Sequence, residues 1–240
     1  MMRALLIRGM LAGLIAGLLA FGFARTFGEP HLERAIAFES QREAAQTHEH
    51  HHGASPAEQV SRSVQAGIGL FTGVVVHGTA IGGLFALVFA VANGRVARLR
   101  PRQMAALLGA AGFVAVFLVP ALKYPGSPPA VGEPETIGIR TALFFGLLIV
   151  SILAMIGATA LRKHLAERME GWNATLIAAG GWLTTIGLAY FLLPEINEIP
   201  DDFPAALLWQ FRIAAFGVQA VLWTALGLVF GALAERIAPR

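Results

Sequence analysis

The sequence predicts an all-α polytopic membrane protein: a bundle of about six transmembrane helices with a non-helical, Pro-rich outer loop, as one integral membrane domain over 1–240. Three observations predict it. Of 240 residues, 56% are hydrophobic and only 14% charged, too apolar for an ordinary soluble domain. The apolar residues gather into long blocks, each able to cross a hydrocarbon core of about 30 Å as a helix of about 20 residues. In that core, backbone groups must pair internally, so blocks without β-barrel alternation should be helices.

The first block, 4–24, places Gly9, Gly13 and Gly17 at intervals of four, a flat helix face suited to close packing in a membrane. Arg3, Arg8 and the small-x-small run Gly22-Phe23-Ala24 also fit a cleavable signal peptide. The glycine face favours a retained span, and either way residue 25 emerges outside. Residues 25–65 form an outer His-rich loop, rich in Glu, Gln and Ala around Gly53-Ala54-Ser55-Pro56 and expected to be flexible. The second and third blocks are 66–92 and 104–122. Between them lie Arg95, Arg98, Arg100 and Arg102 with no acid.

The stretch 120–141, PALKYPGSPPAVGEPETIGIRT, carries Pro120, Pro125, Pro128, Pro129 and Pro134. Each proline removes a backbone donor and crowds the preceding turn, so a rigid, non-helical cap over one mouth of the bundle is expected. The fourth and fifth blocks, 137–161 and 173–193, flank Arg162, Lys163 and Arg168. The loop 194–206 has no Lys or Arg but carries Glu195, Glu198, Asp201 and Asp202. The last block, 207–233, is followed by Arg236 and Arg240.

By the positive-inside rule the Arg-rich links and the C-terminus are cytoplasmic, and six spans return the N-terminus to the same side. A bacterial-type inner membrane is the expected location. The net charge of +3 therefore reflects topology, and nucleic-acid binding is excluded as a reading. Of 15 acids, Glu167, Glu170 and Glu235 fall inside, leaving twelve outside. Such a field would concentrate cations at the outer mouth, or it simply marks where topology keeps Lys and Arg away.

With no cysteine, metal ligands must come from nitrogen and oxygen donors. His48, His50, His51 and His52, with Glu49 among them, form the loudest local signal. Imidazoles bind cobalt, nickel, copper or zinc, though a flexible cluster cannot by itself choose cobalt. Its alternative reading is a solvated low-complexity tract with incidental affinity. His77 lies mid-block on one face with Gly69 and Gly73, and should point into protein as a ligand, a proton carrier or a hydrogen-bonded packing residue. Arg212, Phe216, Gln219 and Trp223 share a stripe, with Gln219 mid-membrane. Arg212 could pair with Glu198 or Asp201, and Arg140 with Glu133 or Glu135, as structural latches. Glu135 also suits a helix start, where an acid offsets the dipole.

Neither lysine, Lys123 nor Lys163, follows the glycine spacing of a phosphate-binding loop, and GxSxG is missing. An enzyme is thus disfavoured. An inward divalent cation gains about 2.3 kcal/mol per charge per 100 mV, so membrane potential could drive uptake.

Three stretches carry a resemblance: KYPGSPPAVGEPETIGIRT at 123–141, LPEINEIPDDFPAALLWQFR at 193–212, and the His77 segment with its preceding His-rich loop. They resemble the predicted cobalt transporter family of the CbtA type, over essentially the whole chain. The resemblance implies cobalt uptake linked to cobalamin supply, a small single-span His-bearing partner, and five spans where six are counted here. The expected function is a permease subunit for a divalent metal, cobalt first, with nickel or zinc as alternatives. His48, His50, His51 and His52 would gather the ion. Glu133, Glu135, Glu195, Glu198, Asp201 and Asp202 would pass it inward, and His77 and Gln219 would line its path. The rivals are a non-conducting metal-binding accessory or sensory protein and, last, a membrane enzyme.

Overall fold

A computed structural model of the chain describes residues 2–47, 60–96 and 99–236. Among these the architecture is helical: α1 (Met2–Phe23), α2 (Glu29–Thr47), α3 (Arg62–Val64), α4 (Leu70–Ala92), α5 (Pro101–Gly112), α6 (Val119–Lys123), α7 (Ile137–Leu165), α8 (Gly171–Leu192) and α9 (Ala205–Glu235). Widened π turns at 24–28, 65–69 and 113–118 join α1 to α2, α3 to α4 and α5 to α6. Among the described residues, six helical runs are long and apolar enough to cross a membrane, each overlapping an expected block.

Proline sets several boundaries. Pro101 opens α5, where its missing N–H is no loss, and the Gln103 side chain accepts the Arg100 N–H at 3.1 Å. Pro204 supplies the carbonyl for the Leu207 and Leu208 amides at the start of α9. Pro120 does not end its helix. The π turn before it sends the Val119 N–H to the Val114 carbonyl, and α6 runs on through Lys123. Widening the helix there relieves the clash that Pro120 would make one turn back. The irregular part of the cap is therefore 124–133, shorter than the sequence suggests.

The segment expected as a flexible outer loop differs more. Residues 29–47 are helical, and α1 runs through the π turn into α2 as one helical run, Met2–Ala45. That run of 44 residues rises about 66 Å at 1.5 Å per residue, twice the hydrocarbon core, so α2 stands clear of it. Ala35 and Phe38 of α2 then pack with Val131 of the cap and with Phe203, Leu207 and Leu208.

The core is built from α1, α4, α5 and α9. In lipid no hydrophobic force brings helices together, so close van der Waals approach must do it, which small residues permit. A Cβ on Gly13 would lie 2.2 Å from the Gly78 carbonyl oxygen, and one on Gly9 would lie 2.3 Å from that of Gly82. The backbones of α1 and α4 are thus in contact along the glycine face. Gly109 of α5 and Gly227 of α9 repeat the device: a Cβ on Gly109 would lie 3.2 Å from the Gly227 Cα. Phe230 fills the centre, edge-on to Phe85 and Phe89 with ring centroids 5.3 and 5.0 Å away.

The α7–α8 hairpin sits apart from that core. It joins through α6, where Val119, Tyr124, Leu147 and Ile186 form a separate cluster and the Tyr190 hydroxyl donates to the Val119 carbonyl. Large apolar side chains such as Ile149, Leu153, Leu183 and Phe191 are exposed on its flanks. Trp172 near one end and Trp209 near the other are exposed as well, near the ends of membrane-length helices, where an interfacial aromatic belt is expected.

Candidate functional site

The three segments expected on one side of the membrane meet at one end of the molecule. The Glu39 carboxylate of α2 accepts the Ala130 N–H at 3.2 Å. Arg42 Nε lies 3.2 Å from Asp202 Oδ2. The Tyr124 hydroxyl donates to the Pro194 carbonyl at 2.8 Å, and burial raises its pKa above the ordinary phenol value. At the opposite end Arg102 pairs with Glu235, and Arg8 donates to the Leu233 carbonyl. The cap end and the Arg-rich end are therefore distinct.

Glu198 is the hub of the cap. Its Oε2 accepts the Glu133 backbone N–H at 2.8 Å and lies 3.5 Å from Arg140 Nη1. Its carboxyl is held below the ordinary range first by the Thr136 hydroxyl, then by the Glu133 amide, with Arg140 contributing less. Thr136 Oγ1 also lies 2.9 Å from the Glu133 carbonyl, so its one proton has two acceptors in reach. Arg140 further donates to that carbonyl at 3.3 Å. Gly132 makes room: its φ is +107°, and a Cβ there would lie 2.4 Å from Arg140 Nη1.

Neither expected latch forms as expected: one changes partner and the other is not made. Arg140 binds the Glu198 carboxylate rather than Glu133 or Glu135, because the 194–199 loop folds over the cap and brings a distant acid to it. Glu133 serves through its backbone, and its side chain, like that of Glu135, is exposed. Glu135 occupies the first turn leading into α7, as the dipole argument expects. Arg212 pairs with neither Glu198 nor Asp201. It has no ion pair among the described residues, and its Nε is buried without a hydrogen-bond partner. Glu195 is 92% exposed and faces Lys123 Nζ at 3.7 Å; Asp201 is exposed.

The acid field is also less one-sided than its composition suggests. Glu29 is 4% exposed and pairs with Arg62, and Asp202 is held by Arg42. Sequence reasoning missed these cations because they lie in the long segment before α4, where they look like ordinary loop charges. Arg62 immediately before an apolar block was the available signal.

His77 lies at the midpoint of the run Arg62–Ala92 but does not point into this chain. The face of α4 that packs is set by Gly78 and Gly82, which fit the α1 glycines. Gly69, Gly73 and His77 fall on the other side, exposed, and a Cβ on Gly73 would meet nothing within 4 Å. Gln219 is half-buried on α9, between Phe216, which stacks edge-on with Phe117, and Trp223, which lies against Gly112. No described contact joins His77 to Gln219. Among the described residues no three His, Asp or Glu side chains come close enough to hold a metal ion. His48, His50, His51 and His52 lie outside the described residues.

One family's sequence profile, described as "Probable cobalt transporter subunit (CbtA)", matches residues 2–235. The chain belongs to the CbtA family. No curated protein and no solved structure gives a significant match. For this CbtA chain, membership joins the six membrane-length helices to metal transport, with cobalt as the named cargo.

Proposed function

We propose that this chain is the membrane-embedded component of a cobalt uptake system, with its cap end outside and both termini in the cytoplasm of a bacterial-type inner membrane. The family match over 2–235 carries the reading. His48, His50, His51 and His52 collect the ion. Glu133, Glu135 and Asp201, exposed and without ion pairs among the described residues, raise its local concentration. Glu195, Glu198 and Asp202 have a second occupation as latches to Lys123, Arg140 and Arg42.

The path itself is completed by a second protein. Exposing a histidine at mid-depth is costly against lipid, so the face carrying Gly69, Gly73 and His77 is one that a small His-bearing, single-span partner would cover. Gln219 lines the path from the α9 side. Cobalt is the preferred cargo and nickel or zinc the competitors, with cobalamin supply as the use.

A second reading, a non-conducting metal-binding or sensory protein, is favoured by the tight glycine contacts of α1 with α4 and α5 with α9, which close the core of this chain. Cobalt uptake into proteoliposomes separates the two. Uptake by this chain with its small partner, and loss of it in His77→Ala, supports conduction. Metal binding without flux in any combination supports the sensor. Deleting 48–52 should lower uptake at scarce cobalt and leave it unchanged at abundant cobalt.

A further inference from the structure

A pocket of about 830 Å³ opens beneath the cap, between the end of α6, the start of α7 and the 194–199 loop. Three cations line it, Lys123, Arg140 and Arg212, against two carboxylates, Glu195 and Glu198. Lys123 faces one acid and Arg140 the other, which leaves Arg212 as the uncompensated charge. A guanidinium cannot shed its proton, and its planar fork matches two oxygens of an oxyanion. The buried Nε atoms of Arg212 and Arg140 both lack hydrogen-bond partners. Ser127, Thr141 and Asn197 add uncharged polar groups, and most of the remaining wall is apolar. Ile137 and Phe145, 55% and 56% exposed, carry it onto the flank of α7 that faces hydrocarbon.

We propose that this pocket binds one phosphate-class monoanion, with Arg212 as its anchor and Arg140 and Lys123 beside it. A single negative charge neutralises the lining, and a phosphodiester supplies one. The chemistry has two sources. A phospholipid headgroup would rest its acyl chains along Ile137 and Phe145, whereas free phosphate would use the cations only. A bare divalent cation is disfavoured in the same place by the excess positive charge. The proposal is independent of the transport reading, and its test contains no metal.

The test is native mass spectrometry of the full chain in detergent, titrated with phosphatidylglycerol, phosphatidylcholine or inorganic phosphate. The expected result is one phosphatidylglycerol per chain, retained in preference to phosphatidylcholine. Arg212→Gln should bind it about tenfold more weakly, the loss of one charge-assisted hydrogen-bonding partner, and Arg212→Lys, which keeps charge without the fork, should fall between. If inorganic phosphate stabilises the lipid-free chain against heating in an Arg212-dependent way and phosphatidylglycerol adds nothing, the source is the free anion. Unchanged binding of both anions in a folded Arg212→Gln overturns the proposal. Should that variant not fold, the wild-type chain decides: equal retention of the two lipids with no response to phosphate overturns it.

Discussion

Glu198 shows how one carboxylate can hold two loops together. Its folded pKa is depressed, so the ionised latch stabilises the cap above the unfolded carboxyl pKa. That contribution disappears as pH falls through the depressed folded value. Wild type should therefore melt above Glu198→Gln at neutral pH, and the gap should close in acid, below the ordinary carboxylate range. A gap that stays constant with pH would remove Glu198 from this role. Gly132→Ala tests the other side of the same contact. The positive φ costs a side chain about 1–3 kcal/mol, and the new methyl displaces the Arg140 guanidinium. Chemical unfolding should register at least that loss. Tyr124→Phe, which strands the Pro194 carbonyl, should cost about 1 kcal/mol in the same assay. None of these partners is legible locally. Arg140 looks tied to Glu133 and Glu135 because they are its neighbours in sequence, whereas Glu198 reaches it only through the fold of a distant loop.

At the scale of elements, periodicity carries more. Gly9, Gly13 and Gly17 announce a packing face in the sequence, and that face is the one in contact. On α4 two small-residue stripes compete, one through Gly69 and Gly73 and one through Gly78 and Gly82. Spacing cannot rank them; complementarity to α1 does. Gly13→Ala should therefore push backbones apart and cost about 1–3 kcal/mol of stability in detergent. Gly73→Ala, with open space around it, should be neutral or slightly stabilising through helix propensity. A larger Gly73→Leu should leave the isolated chain stable and reduce uptake only if a partner covers that face. The same contacts argue that α1 is a permanent span. Ala12, Ala16 and Ala20 are wholly buried in the core, so intact-mass measurement of membrane-extracted protein should find residues 2–24 retained. The helical continuation over 29–47 is harder to read, since polar helices and polar loops share a composition. Its apolar contacts, Ala35 and Phe38, only acquire meaning once the cap is in place.

At the scale of the whole molecule, sidedness governs what each end can do. Contacts of α2, the cap and the 194–204 loop bring these three segments to one end, while Arg8, Arg102 and Glu235 meet at the other. One position at each end is therefore enough to orient everything between. The absence of cysteine makes the experiment clean, because any thiol is an introduced one. Ser127→Cys, exposed on the cap, should react with a membrane-impermeant maleimide in intact cells. Lys163→Cys, exposed after the hydrophobic stretch of α7, should react only once the cells are opened. With that orientation an entering divalent cation falls through the membrane potential, gaining about 2.3 kcal/mol per charge per 100 mV, and the histidine-bearing segment lies where scarce metal is found. The opposite labelling pattern would put the loop histidines and the exposed carboxylates in the cytosol. They could then receive or sense an ion but not capture it for import, and only the sensory reading of this chain would survive.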